Sequence, residues 1–560
     1  MRCLATLLLM ASSSLASAQL VIDGRAVMFD ELTNTLLATV SEDCFNQKTV
    51  TMSVITGKDW SSCTIDGNSI SDDFVFKKIT ADKTFLVSYK NASGQKCSAT
   101  LKFTFLPLLQ LQGSFGYNYN EGMLLVSSPD AKQTDTLAAT IKWRGGSTNT
   151  TDKHKRNYKI KLQKNKSLLG LRNDDSWILD AGQADVFRLR NRIAMDLWND
   201  FACPPYYIDK EPAARNGVSG RVVEVFLNNE YRGIYNFSEN LDRKQMRLKK
   251  VLDGEIHGCL YKGKSWQRTQ MFNVFNTYDN HSETLEGFEV KYPDLLDNDT
   301  TDWRPLIEAS NFALQSPRSE FEAYVTDYFD VEPMIDYSLL LTVTSAVDNS
   351  GKNTFWAVYD KENEKKLTIA PWDLDATFGQ RWGGLLVGGT NDHSSPRYLS
   401  DVDVCVFYQF YRRNTLQFND RLNQRYQELR QDGKVFSTDS LISRVSYYYH
   451  LLKNSGAADR ETRKWSGDSD LRGEEIDFDN EFYYICNWIE QHMQILDSRG
   501  FPVEYNQDYF DSDGISVPSS DSSVNAASPI YHLSGQRTQQ NSRLKPGIYI
   551  QQGKKIIIRR

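Results

Sequence analysis

Short runs in which apolar and polar residues alternate open the chain. Ala38-Thr39-Val40, Thr49–Val54, Phe85–Tyr89 and Thr100–Phe105 have the period of strands, and the polar clusters Thr56–Asp59 and Asn91–Gly94 read as turns between them. This spacing predicts a small immunoglobulin-type β-sandwich over residues 19–106. From about residue 107 the texture becomes mixed. Val186, Leu189, Ile193, Leu197 and Phe201 share one face of a helix predicted over Ala184–Phe201. Pro333, behind Asp330 and Glu332, marks the head of a second helix running to Val343. Two strand-like runs, Thr354–Tyr359 and Lys366–Ala370, flank a polar turn and predict a hairpin. Residues 107–502 therefore read as one large α+β domain. Residues 503–528, rich in Asp, Ser, Gly and Asn, read as a linker. The last stretch, 529–560, predicts a small β-unit with a hairpin at Gly553 and a basic end.

Composition narrows the function classes. Of 560 residues, 40% are apolar and 12% aromatic, enough for a large core and against disorder over the whole length. The net charge of −7, without a strong local basic cluster, argues against a nucleic-acid partner. Met1-Arg2, the apolar run Leu4–Met10 and Ala16-Ser17-Ala18 have the layout of a secretory signal peptide over 1–18, cut after Ala18. The run is too short to span a bilayer, so no transmembrane segment is expected, and an extracytoplasmic location is. Seven cysteines remain beyond that segment, an odd number with no C-x-x-C pair, which speaks against zinc and for thiols with at most one bridge near the N-terminus.

The chemistry has to come from acidic residues. The seven His form no H-E-x-x-H, and neither a Walker A loop nor a G-x-S-x-G elbow occurs. Asp348 is followed five residues later by Asn353, then by the predicted hairpin, then by Pro371-Trp372-Asp373-Leu374-Asp375. The two ends of a hairpin are neighbours, so Asp348, Asn353 and Asp373 converge on one edge. Protein kinases use this order: an Asp for the attacking hydroxyl, an Asn and a second Asp for magnesium. Upstream, Ile141–Arg144 leads into Gly145-Gly146-Ser147-Thr148, and Tyr158–Leu162 alternates so that Lys159 and Lys161 share one face. That lysine face reads equally as a solvated surface or as a phosphate contact.

Arg144-Gly145-Gly146-Ser147 resembles the R-G-x-S motif of the CotH kinase-like family, and Tyr158–Leu162 its Y-x-I-K-L strand. Trp177–Ala181 with Arg190-Asn191 is similar to its W-x-L…R-N region. Asn228, Gly233, Tyr235 and Glu239 resemble its hairpin, and Asp348…Asn353 with Pro371-Trp372-Asp373 its acidic segments. The resemblance implies a divergent protein-kinase-like domain. It implies Asp348 as catalytic, Asn353 and Asp373 as magnesium ligands with Asp375 assisting, and Lys161 as the phosphate lysine. Arg144, Ser147 and Glu239 complete the implied nucleotide site. The family's R-G-N-S stands here as R-G-G-S, which removes one polar side chain from the phosphate loop.

The expected function is an exported atypical kinase that moves phosphate from ATP and magnesium to Ser or Thr of secreted or surface proteins. The competing reading is a surface binding protein that keeps the fold without turnover. The C-terminal unit resembles the tails of secreted Bacteroidetes proteins, which suits either. Paired-carboxylate glycoside hydrolysis is disfavoured, because Asp373 and Asp375 share one loop instead of flanking a substrate.

Overall fold

The computed structural model describes residues 20–146, 148–264, 275, 277–346, 348–381 and 406–499, with the strands Ile530–His532, Gly547–Gln551 and Lys554–Ile558. The predicted signal peptide, Ser147 and the 503–528 linker lie outside the described residues. The three C-terminal strands pair antiparallel in chain order.

Three sheets in residues 20–104 share one core. Leu36, Ala38, Leu101 and Phe103 of the largest sheet meet Leu20, Val54, Met52 and Phe76 of the two smaller ones. Strand Thr35–Thr39 runs parallel to Lys96–Thr104, and the other pairings of the largest sheet are antiparallel. This module is docked on the region that begins at Leu108. Met28 and Leu37 pack with Leu108, Leu125, Phe226 and Tyr231 in a joint apolar cluster. Around that cluster Ala26 N donates to Thr134 Oγ1 (2.8 Å) and Asn229 Nδ2 to Glu31 Oε1 (2.8 Å).

Seven strands from Leu108 to Glu239 close into a barrel. Leu108–Gly113, Asn120–Ser127, Asp135–Arg144, Asn157–Ser167 and Asn173–Asp180 pair in sequence. Strand Glu230–Glu239 comes next in the barrel, and Gly220–Leu227 then pairs parallel with the first strand, Leu108 opposite Glu224, which abolishes the sheet edges. Alternation decides which residues fill it. Tyr158, Ile160 and Leu162 join Trp177, Leu179, Val225 and Phe237 inside, and Lys159 and Lys161 point outward. Outside, Ile178, Val222 and Ile234 belong to a second, larger core shared with the helices.

The helix expected over Ala184–Phe201 begins only at Arg190. Asp185 takes its first turn away: its Oδ1 accepts from Phe187 N (3.0 Å), its Oδ2 from Arg190 N (2.9 Å), and Arg188 is left-handed at φ 67°. The Pro333 helix spans Val331–Thr344 and is buried on all sides save at Glu332; the hydroxyls of Ser338, Thr342 and Thr344 are satisfied by donating to carbonyls four residues earlier. It supports a five-stranded sheet in the order Thr284–Leu285, Phe288–Tyr292, Cys259–Gly263, Thr354–Val358, Thr368–Pro371.

Helix Ala457–Trp465 bolts the helical layer to the barrel through two buried acid–base groups. Arg460 holds both oxygens of Glu224 at 2.7 Å. Glu461 Oε1 accepts from Lys155 Nζ and Arg188 Nε, each at 2.8 Å, and its Oε2 accepts from Ile234 N (2.7 Å). Gly233, at φ 89°, is required here because a Cβ would collide with the Glu461 carboxylate. The six described cysteines beyond the N-terminal segment are free thiols, so no bridge forms among the described residues. No helix among them is long and apolar enough to cross a membrane.

Candidate functional site

Thr354 pairs with Pro371, so Asn353 and Trp372-Asp373 leave the hairpin at the same end. The buried helix Val331–Thr344 fixes that end. Tyr337 OH donates to Asn349 O (2.6 Å), and Asn349 Nδ2 donates to Trp372 O (2.7 Å), which ties the loop before the hairpin to the loop after it. Asp348 is buried, and its Oδ2 accepts from Lys352 Nζ (2.7 Å) and Asn353 Nδ2 (3.1 Å). Asn353 and Asp373 both have left-handed backbones, at φ 58° and 57°. Asn and Asp tolerate that region better than other non-glycine residues, and such conformations gather where side chains must be aimed. Asn353 N donates to Gly263 O (3.0 Å), which anchors it to the neighbouring strand.

Asn191 connects this edge to the barrel. Its Nδ2 donates to Asp180 Oδ2 (2.8 Å), and its Oδ1 accepts from Leu374 N (2.9 Å), the residue after Asp373. The Arg190-Asn191 pair thus has two separate tasks. Arg190 is buried between Asp185 (2.7 Å) and Glu481 (2.5 Å), joining the last long helix to the barrel side, and Asn191 orients the acidic loop.

Negative charge accumulates on the edge. Burial, then the charges of Asp373, Asp180 and Asp348, push the Asp375 carboxyl well above its usual range. Asp180 is raised by burial and by Asp373, against the Asn191 hydrogen bond and Arg144. A positive wall faces it. Lys159 is pushed down to about 8 by burial and by Arg144, Lys291 and Lys142, with Asp242 opposing. Lys262 is pushed down to about 8 by burial, against the pull of Asp373, with Arg144 and Lys291 adding to the depression. The Arg144 guanidinium lies 5.2 Å from the Trp372 ring centroid. A small cavity of about 20 Å³ lies between Arg144, Asp180, Asn191 and Asp373.

Hard oxygen donors in a buried, mutually repelling cluster are what a magnesium ion takes, because the ion offsets the burial and the repulsion that raise Asp375. The residues present fit one. Among the described residues no group of three His, Cys, Asp or Glu is already gathered at ligating distance, so the amide of Asn353 and water would have to share the coordination.

Asp348, Asn353, Asp373 and Asp375 come together, with Arg144 beside them. Gly145, at φ 104°, lets the chain turn after Arg144 where a Cβ would collide with Thr148 Oγ1, and Ser147 is outside the described residues. Lys161 is exposed on the barrel, two residues along from the half-buried Lys159. Glu239 sits elsewhere, at the end of its strand, accepting from Arg172 N (3.1 Å), Ser219 N (2.9 Å) and Gln245 Nε2 (3.2 Å). Sequence reasoning missed Asp180, Asn191 and Lys262 as site residues. The first two stand in the segments that carried the family resemblance, and Lys262 had no signal because only the pairing of Cys259–Gly263 with the hairpin brings it in.

The family model described as CotH kinase protein matches residues 141–496. No curated protein matches the chain.

Proposed function

The chain belongs to the CotH kinase family, and from that membership we propose that it is an atypical, protein-kinase-like phosphotransferase. The observation that carries this reading is the hairpin edge, where Asp348, Asn353 and Asp373 stand together opposite Arg144, Lys159 and Lys262. Acids that hold metal and cations that hold phosphate are the two halves of a nucleoside-triphosphate site.

Asp348 takes the proton of the attacking Ser or Thr hydroxyl as its oxygen closes on the terminal phosphorus and the bond to the ADP oxygen breaks. Lys352 and Asn353 donate to one Asp348 oxygen and hold the carboxylate in place. Asn353 and Asp373, with Asp375 assisting, would hold magnesium, which would offset charge on the phosphate oxygens. Arg144, Lys159 and Lys262 draw the phosphates toward the acid edge. The small cavity beside Asp373 has room for little more than one water-sized group, so the nucleotide body lies outside it, toward Lys159 and Lys262. The substrates are proteins outside the cytoplasm, in keeping with the signal-peptide layout of residues 1–18.

Calorimetric titration of residues 19–560 with ATP and magnesium, beside an Asp373→Ala variant, tests the reading. Magnesium-dependent binding that disappears in the variant is expected. A folded wild-type protein that binds no nucleotide overturns the kinase reading in favour of a surface-binding role.

A further inference from the structure

A second cavity, of about 540 Å³, lies behind the first. The two share no lining residue but do share a wall. In segment 217–219, Val218 faces the small acidic cavity, whereas Gly217 and Ser219 face the large one. At the end of the Glu230–Glu239 strand, Ser238 faces the first and Glu239 the second. Val218 O accepts from Arg192 Nη2 and Asn199 Nδ2, both at 3.0 Å, which keeps this partition in place.

The large cavity has two kinds of surface. Trp198, Ala202, Pro204 and Ala214 give it an apolar side. Cations surround the rest. Arg172 and Lys244 are already paired with Asp242, Asp174 and Asp175. Glu239, its one lining acid, has both oxygens engaged by backbone amides and Gln245. Arg215 and Arg247 differ: both are exposed and neither has a carboxylate partner among the described residues, with Arg215 Nη1 donating only to the carbonyls of Pro212 (3.3 Å) and Ala214 (2.8 Å). Their segments are joined by the bond from Arg215 N to Gln245 O (3.0 Å), and the left-handed turn at Arg247 (φ 55°) closes the short helix Arg243–Met246 beside it.

We propose that this cavity binds a small organic anion, a phosphate or carboxylate carried on a compact apolar body. The volume lies within the ~300–1,000 Å³ of small-molecule sites and far exceeds that of a bare ion. Arg215 and Arg247 receive the anionic group, and Trp198 and its neighbours receive the body. The site is independent of the nucleotide reading, because none of its residues belongs to the acidic edge.

Phenyl phosphate and benzoate are the probes, titrated calorimetrically into residues 19–560, with inorganic phosphate as the control lacking an apolar body. At least one aromatic probe is expected to saturate, with inorganic phosphate about tenfold weaker or more. The double variant Arg215→Ala/Arg247→Ala is expected to weaken the probe by about tenfold or more, the scale of one charge-assisted hydrogen bond. Asp373→Ala is expected to bind the probe like wild type, whatever its effect on ATP. If the double variant does not melt cooperatively, Ala213→Trp, which fills the cavity from its exposed rim, serves in its place and should abolish binding. The proposal is overturned by absence of saturable binding, by equal binding in the folded variant, or by loss of the probe in Asp373→Ala.

Discussion

Exchanging one oxygen of Glu461 for an amide, as Glu461→Gln, tests how the helical layer is held to the barrel. Glu461 is completely buried, as are Lys155 and Arg188, and it is the acid that both cations contact. A glutamine can turn its carbonyl toward the cations or toward Ile234 N, but not toward both, so one donor is orphaned in either orientation. Breaking a buried pair from one side costs about 3–5 kcal/mol, since the opposite charge is left uncompensated. Lys155 adds a pH signature. Burial already pushes it down to about 7, and Glu461 is the partner that holds it up. Losing that partner lowers it further. A lysine depressed in the folded state binds more protons when unfolded, so its burden on stability is greatest at low pH and fades as pH rises toward the unfolded value. Wild type carries the full burden only below about pH 7, whereas the variant goes on accumulating it to a lower pH, so the difference between them must widen as pH falls through 7. Urea unfolding followed by tryptophan emission reads this directly, because Trp465 lies 5.7 Å from Lys155 Nζ. A loss under about 1 kcal/mol at pH 6, or an equal loss at pH 6 and pH 8, would refute the account.

Lys159→Met should weaken magnesium-ATP binding by about tenfold or more, whereas Lys161→Met, on an exposed side chain, should change it little; calorimetry on the pair separates them. Arg460→Met strands Glu224, also completely buried, and should destabilise by about 3–5 kcal/mol in the same urea assay. Gly145→Ala forces a φ of 104° and a collision with Thr148, so it should cost about 1–3 kcal/mol or shift the Arg144 turn, with a matching fall in nucleotide affinity. Cys259, buried and pushed up to about 12, should resist a thiol reagent in the native protein, and reducing agent should leave the melting temperature unchanged.

The acidic edge was legible because its members are ordered along the chain around one hairpin, and hairpin pairing is local. The alternation in Tyr158–Leu162 gave the correct faces but could not tell that Lys159 is half-buried and Lys161 exposed. Lys142, the cross-strand partner of Lys159, and Arg144 are close in sequence, but Lys291, which also bears on Lys159, is remote. Glu239 looked chemical because it is an acid in a family-like hairpin, yet its oxygens serve backbone amides that only the folded chain brings near. The late start of the Arg190 helix was hidden for a related reason. The apolar period extends back to Val186, and a single aspartate overrides it by bonding its own backbone. Barrel closure had no local signal, since its last pairing joins residues more than a hundred positions apart.

That closing pair also sets an order of events as the chain is made. Leu108 pairs with Glu224, so 116 residues (224 − 108) must be added after the first barrel strand emerges before its partner exists. At roughly 5–20 residues per second the delay is about 6–23 s, during which the edge at Leu108–Gly113 stands open. The N-terminal module waits as well. Met28 and Leu37 find their cover in Phe226 and Tyr231, on either side of the turn at Asn228-Asn229. A nascent chain stalled anywhere between residues 114 and 219 therefore carries two uncovered surfaces at once, an open strand edge and an undocked apolar face. It is over this interval of synthesis that the protein most needs a chaperone.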